Sequence, residues 1–346
     1  MLVRDAREVA RDWVAEEASG VPSFAGAMFR GSIVEMAEDA TFTAISDVDL
    51  AEFHTGDEQP ERRGKFLRDG LIFEVSARLL DQLPGPDEVL STYRAAGGFR
   101  TSSVISDPTG RLGELSASVE RDFAKRRWVE KRVEDARANC LGYVEKVGED
   151  RPFHEQVTAW LFAAGITTHV ILAAGLRNPT VRKRFFAARE VLSGFGHLDF
   201  YESLLDLQGS QKLSSHQVRG HLTTLTGVFD KTAALGTVAH RFSSDISELA
   251  RPIAIDGSLE LIEQGFHREA VFWIVATYAR CLGILDLAGS AELAAKFLPG
   301  LMRLLHDLGI GSADDLKHRA EQVREELPNV MDVAVAIMDR HAGIRE

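Results

Sequence analysis

Five residues in the first quarter of the chain have the types and spacing to bind metal and phosphate: Gly31, Ser32, Asp47, Asp49 and Glu74. Asp47 and Asp49 lie in the run Ser46-Asp47-Val48-Asp49-Leu50. On a strand, residues two apart share a face, so the two carboxylates project together while Val48 and Leu50 turn into a core. Two carboxylates on one face repel unless a cation lies between them. Glu74 interrupts the apolar run Leu71-Ile72-Phe73-Glu74-Val75, an expensive place for a lone acid. If the two strands are neighbours, three acids converge. An all-oxygen donor set suits a hard divalent cation, and Mg2+ above all when it shares ligands with substrate phosphates. Gly31-Ser32 follows the strand-like run Phe24 to Phe29 and opens a short helix expected over residues 32–38. Such a turn offers backbone N–H groups and a hydroxyl to a phosphate. A phosphate cradle beside an acidic metal site is the equipment of phosphoryl or nucleotidyl transfer. Taken singly, each feature has a plainer explanation: a solvated strand edge for Asp47 and Asp49, and an edge-strand position or pairing with Arg68 or Arg78 for Glu74.

The elements that must position these residues form a compact mixed unit over residues 1–110. Residues 4–18 read as a surface helix with Ala6, Val9, Ala10, Trp13 and Val14 on one side. Phe42 to Phe53 alternates around a turn-prone Ser46-Asp47 entry. Lys65 to Arg68 and Leu71 to Ser76 read as two strands joined across the hairpin dipeptide Asp69-Gly70. Helices are expected from about Val75–Ala77 to Gln82 and from Asp87 to about Ala96, then a strand from Thr101 to Ser106 closed by the turn Asp107-Pro108-Thr109-Gly110. Beyond Gly110 the period changes from 2 to 3.6. Residues 111–147 form one long helix or two in series, and further helices are expected from Arg151-Pro152, from Asn178-Pro179, and over 197–208, 215–238, 258–285, 290–308 and 313–342. The fold class is therefore α+β: a mixed-sheet domain over 1–110 and an all-helical domain over 111–346.

Gly-Ser, a spacer, Asp-apolar-Asp-apolar and a third acid on a later strand resemble the signature of nucleotidyltransferases of the DNA polymerase beta superfamily. Here it reads Gly31-Ser32, 14 residues, Asp47-Val48-Asp49-Leu50, with Glu74 as third acid; the spacer is longer than the family's usual one. The resemblance implies that Gly31 and Ser32, with Ser46 nearby, hold the β- and γ-phosphates of ATP or another NTP. It implies two Mg2+ ions held by Asp47 and Asp49, with Glu74 sharing one ion and helping to activate the acceptor hydroxyl. The strand and turn Ile105 to Gly110, followed by a long helix, look like the small-molecule branch, which includes kanamycin and lincosamide nucleotidyltransferases. The match covers about the first 110 residues by motif and the rest by architecture alone. In kanamycin-type enzymes a carboxylate of the helical part deprotonates the acceptor, which makes Glu155 and Glu269 general-base candidates. Each also sits where a helix N-terminal acid is favoured by the macrodipole.

Arg126 falls where the apolar stripe Val119, Phe123, Val129, Val133 would continue. Such a charge either makes an internal salt bridge, the favoured reading, or reaches the triphosphate. The most basic segment, Arg177 to Arg184, reads as a helix start with surface charge.

Composition sets the limits. The 346 residues carry 40 Lys+Arg and 52 Asp+Glu, a net charge of −12, which argues against a protein that grips nucleic-acid phosphates. Residues 1–110 hold 11 of the bases and 20 of the acids, so most of the excess lies on the unit with the carboxylates. That acidity suits a cationic acceptor such as an aminoglycoside. Cys140 and Cys281 have no CxxC partner and read as buried thiols of a cytoplasmic protein. The N-terminus has no signal-peptide pattern. The uncharged stretch Gln156 to Leu176 reads as a buried helix, or two meeting near Gly165, rather than a membrane span. The expected protein is a cytoplasmic transferase joining an NTP to a small hydroxylated acceptor, with no nucleic-acid or membrane partner; self-association is compatible with this. The alternatives are a protein-modifying, antitoxin-like adenylyltransferase and a non-catalytic nucleotide-binding protein.

Overall fold

The change of period at Gly110 marks a change of architecture in the computed structural model. The structure describes every residue except Arg62, Glu149, Thr237, Ala239, His240 and Arg241. All five strands precede Gly110: β1 (Phe24–Phe29), β2 (Asp47–His54), β3 (Gly64–Arg68), β4 (Leu71–Leu79) and β5 (Val104–Ser106). They form one mixed sheet in the order β3-β4-β2-β1-β5, with β2 and β4 parallel and the other pairs antiparallel. Strand β1 is apolar throughout and β2 is buried from Leu50 to His54, because both faces of the sheet are covered there. One face packs on α1 (Val3–Glu16): Val48, Leu50, Phe73 and Val75 meet Ala6, Ala10 and Trp13. The other face carries Ala51 and Phe53 against α2 (Pro86–Ser91) and α3 (Arg111–Asp122), through Val89, Leu90, Leu112 and Leu115.

The hairpin between β3 and β4 turns on Asp69 (φ 48°) and Gly70 (φ 77°). Two successive positive φ values define the type I′ turn, which an Asp-Gly pair accepts at low cost. Four other sequence expectations are corrected. The helix expected over 32–38 is a short 3-10 turn, Gly31–Val34. The helix expected to start at Val75–Ala77 does not form: β4 runs on to Leu79 because β2 pairs with it as far as His54, leaving only a 3-10 turn, Leu80–Gln82. The helix expected to reach Ala96 stops at Ser91, where Thr92 turns extended. The strand expected from Thr101 is confined to Val104–Ser106. Asp107 closes the next turn as expected: its Oδ2 accepts from the Gly113 N–H at 2.7 Å, capping α3.

After α3 come α4 (Arg126–Val144), α5 (Phe153–Ala174), α6 (Arg184–Gly194), α7 (Tyr201–Leu207), α8 (Ser215–Ala233), α9 (Gly257–Glu263), α10 (His267–Leu287), α11 (Ala291–Asp307) and α12 (Ala313–Arg340). The run expected over 258–285 is two helices split by a turn at Gly265, and α8 ends before residue 238, with Thr237 outside the described residues. The uncharged stretch is one helix that passes straight through Gly165. Helices α5 and α10 are long and apolar enough to cross a membrane by length and composition, yet 89% and 78% of their apolar windows are buried in the protein. Arg177 to Arg184 does not start a surface helix. Helix α6 begins only at Arg184, whose guanidinium is buried and lies 3.7 Å from the centre of the Phe272 ring. Cys140 and Cys281 are buried and unpaired.

By contacts the chain divides into two compact units. One comprises residues 1–132 with 176–178 and 342–346, and the other residues 133–175 with 179–341.

Candidate active site

Strand β2 alternates without a break, so Asp47 and Asp49 share the face of Ala51 and Phe53. Parallel pairing puts Asp49 directly opposite Glu74 and Asp47 opposite Ile72. Oxygen atoms of the three carboxylates lie within 4.8 Å of one another, and all three residues are half-buried. The structure thus brings together the three acids singled out in the sequence.

Strand β3 adds a residue that the sequence reading missed. Lys65 pairs with Glu74 across the hairpin. Its Nζ donates to Asp47 Oδ2 at 2.8 Å and also to Glu74 Oε2. The Lys65 side chain is 4% exposed, against 21% for Asp47 and 39% for Glu74. An internal ammonium therefore stands among the carboxylates. Neither Arg68 nor Arg78 is the partner of Glu74: Arg68 turns away to Glu16, Glu17 and Asp69.

Asp49 is held on two sides. The Arg30 N–H donates to its backbone oxygen at 2.8 Å, and its carboxylate occupies the space that a side chain at Gly31 would take. Burial pushes the Asp49 carboxyl well above the usual carboxylate range; the negative charges of Asp47 and Glu74 push the same way, and Lys65 and Arg30 only partly offset them. Arg30 lies 5.2 Å over the Phe99 ring. Burial and the charge of Arg78 lower its pKa, and Asp49 raises it. Ser32 is exposed and Ser46 half-buried, the Ser46 N–H donating to the Thr43 oxygen at 3.0 Å.

Arg126 lies at the start of α4, where its Nε donates to Glu130 one turn on at 2.9 Å, a solvent-exposed pair and not the internal salt bridge expected. Glu155 is on the first turn of α5, paired with Arg151 at 3.5 Å. Glu269 is 5% exposed on α10, and its carboxylate accepts the Tyr201 hydroxyl at 2.5 Å. Burial, and then the Glu269 charge, pushes the Tyr201 hydroxyl far up, so it stays protonated and donates. Trp160 and Tyr278 are core residues.

No protein-family model, curated protein or solved structure matches the chain. The site's chemistry is therefore argued from its own atoms. Three convergent carboxylates form an all-oxygen donor set that fits Mg2+ or Mn2+. The buried Lys65 ammonium and the raised Asp49 pKa are the responses of such a set when only protein groups and protons balance its charge.

Proposed function

We propose that the protein is a Mg2+-dependent nucleotidyltransferase that moves an NMP from an NTP, ATP first among them, to a hydroxyl of a small acceptor. The observation that carries this reading is the register: Asp49 opposite Glu74 on parallel strands, with Asp47 two residues back on the same face. That arrangement agrees with the order Gly-Ser, Asp-x-Asp, third acid, in which the sequence resembles the polymerase beta superfamily. Asp47, Asp49 and Glu74 would hold the metal ions, which supply neutralisation of the charge that develops on the transferred phosphoryl group. Gly31 and Ser32 would face the departing pyrophosphate. In the transfer the acceptor oxygen forms a bond to the α-phosphorus, the bond from that phosphorus to the β-phosphate oxygen breaks, and the hydroxyl proton passes to a carboxylate. Lys65 would exchange its carboxylate partners for phosphate oxygens, and Arg30 lies beside the same carboxylates to add a second positive charge.

One observation favours a second reading. Lys65 bridges Asp47 and Glu74 in an almost fully buried position, which is also how a purely structural ion-pair set would look. Pyrophosphate release decides between the two. The full chain is incubated with Mg2+, each of four NTPs and a panel of hydroxylated acceptors that includes aminoglycosides. Transfer that falls by at least about 100-fold in Asp47→Asn and Asp49→Asn supports the transferase. NTP binding by calorimetry with no pyrophosphate released supports a non-catalytic binder, and full activity in either variant removes the proposed mechanism.

A further inference from the structure

We propose that the helical unit carries a binding site for a phosphorylated small molecule, in a cleft that α8 and α11 form over α10. Both helices pack on α10, and His221 Nε2 of α8 lies 2.8 Å from Asp307 Oδ2 of α11, which ties the two together at one end. Beyond this tie opens a cleft of about 350 Å3, within the size range of small-molecule sites. Three cations line it, Lys231 from α8 and Lys296 and Arg303 from α11, and no acid does. All three are exposed, and among the described residues none of them makes a hydrogen bond or an ion pair. Two acids beside them in sequence are already taken: Asp230, next to Lys231, by Arg251 at 2.8 Å, and Asp307, one turn beyond Arg303, by His221. In a chain of net charge −12, three unpaired cations around one concavity make a local field that attracts anions.

The walls leave room for the body of a ligand. Gly227 is exposed in the interior of α8, and a Cβ there would meet nothing within 4 Å. Glycine is a poor helix former, so its place here keeps the cleft open at a cost in helix stability. Across the cleft, Phe297 is half-buried and Pro299 exposed, which gives an apolar surface that a ligand can reach. Thr224 turns its hydroxyl back to the Gly220 oxygen at 3.1 Å and its methyl toward Gly300. The floor is closed: a Cβ at Gly300 would stand 2.2 Å from the Tyr278 hydroxyl oxygen, and that hydroxyl donates to the Phe297 oxygen at 2.8 Å. Burial pushes the Tyr278 hydroxyl up to about 12 while the Arg303 charge acts the other way, so the guanidinium charge extends to the floor. The ligand class follows from rim and walls together. Three cations favour a group with more than one negative charge, and Phe297 and Pro299 favour a small apolar body. A phosphate monoester has both, and a guanidinium takes phosphate oxygens two at a time. The carboxylate triad lies in the other compact unit, and this site does not rest on the transfer reading.

The test is a calorimetric titration of the full chain, free of divalent metal, with phenyl phosphate, inorganic phosphate and phenol. Phenyl phosphate is expected to bind about tenfold or more tightly than phenol and about threefold or more tightly than inorganic phosphate, and to weaken as salt is raised. Gly227→Leu fills the cleft with a better helix former, so it should weaken phenyl phosphate by about tenfold or more without lowering the melting temperature. Arg303→Gln and Lys296→Gln should each weaken it by about threefold or more, whereas Lys212→Gln, which removes a charge of the same unit outside the cleft, should not. Phenol or inorganic phosphate binding as tightly as phenyl phosphate, no saturable binding of phenyl phosphate at about 10 mM, or equal losses in Lys212→Gln and Arg303→Gln overturns the proposal. So does a folded Gly227→Leu protein that binds as the wild type. If that variant does not fold, the double variant Lys296→Gln, Arg303→Gln decides: lost binding supports the site and unchanged binding overturns it.

Discussion

A Cβ on residue 31 would stand 1.9 Å from the Asp49 side-chain oxygen Oδ2 and 2.8 Å from its Cγ. Gly31 also holds a φ of 62°, a region that L side chains rarely adopt. The turn after β1 and the second acid of β2 are therefore built as one piece: Arg30 fastens the Asp49 backbone, and the bare Gly31 leaves the space in which its carboxylate lies. The same glycine thus serves both the conformation of the turn and the position of a proposed metal ligand.

Gly31→Ala should be costly twice over. The left-handed backbone costs about 1 kcal/mol, and relieving the overlap with Asp49 adds about 1–3 kcal/mol. Displacing Asp49 should also weaken Mn2+ binding, measured by calorimetry on the folded fraction. A variant with wild-type melting temperature and wild-type Mn2+ affinity would show that Gly31 and Asp49 are not coupled.

Asp49 predicts a pH dependence whose sign can be worked out. Its folded-state pKa is raised, through burial first and then through Asp47 and Glu74. The folded protein therefore holds this proton at pH values where the unfolded chain has released it. The contribution to stability is present below the ordinary carboxylate range and is lost as pH rises through the raised folded value. Metal-free protein should lose stability across that window, and Asp49→Asn should flatten the loss. Divalent-cation binding should release a proton in the same window, read as a calorimetric enthalpy that changes with the buffer's ionisation enthalpy. Buffer-independent enthalpies throughout would contradict the assignment.

Lys65→Met removes the only protein cation bonded to both Asp47 and Glu74 among the described residues. Breaking a fully buried pair typically costs about 3–5 kcal/mol. Here the loss should be nearer about 2 kcal/mol, because the two acids keep part of their hydration. Mn2+ or Mg2+ should restore more stability to this variant than to the wild type, since the cation fills the place of the lost ammonium charge. Thermal melts with and without the metal check this, and an equal shift in both proteins would count against a metal at the triad.

Much of this site is legible in the sequence, for reasons that differ by residue. The i,i+2 spacing of Asp47 and Asp49 fixes their shared face whatever the rest of the chain does. The pairing of Lys65 with Glu74 was equally legible, because the two-residue turn at Asp69-Gly70 sets the register and puts residue 65 opposite residue 74. Acid spacing by itself carries no sign of the cation that neutralises the set. The end of β4 was not legible: Ser76 to Leu79 stay extended only because β2 offers ladder partners up to His54, a long-range contact with no local signal. Arg184 shows the same limit, since a cation at the end of the most basic segment gives no sign that it will be buried on Phe272.

The last prediction separates the structural and chemical roles of Glu269. Its carboxylate lies in the interior of the helical unit and accepts the Tyr201 hydroxyl. Tyr201→Phe leaves that buried carboxylate without its donor and should destabilise the protein by about 1–3 kcal/mol. Glu269→Gln keeps an oxygen acceptor for Tyr201 and removes a buried charge, so it should cost less than Tyr201→Phe in a denaturant titration. If Glu269 serves only the core, transfer activity in Glu269→Gln should follow its small loss of folded protein. A general base would behave differently: the rate of the folded variant would fall by a factor of about 100 or more while its stability stayed near wild type. Melting and turnover measured on the same preparations distinguish the two. The hydrogen bond from Tyr201 already takes one carboxylate oxygen, and so favours the core role.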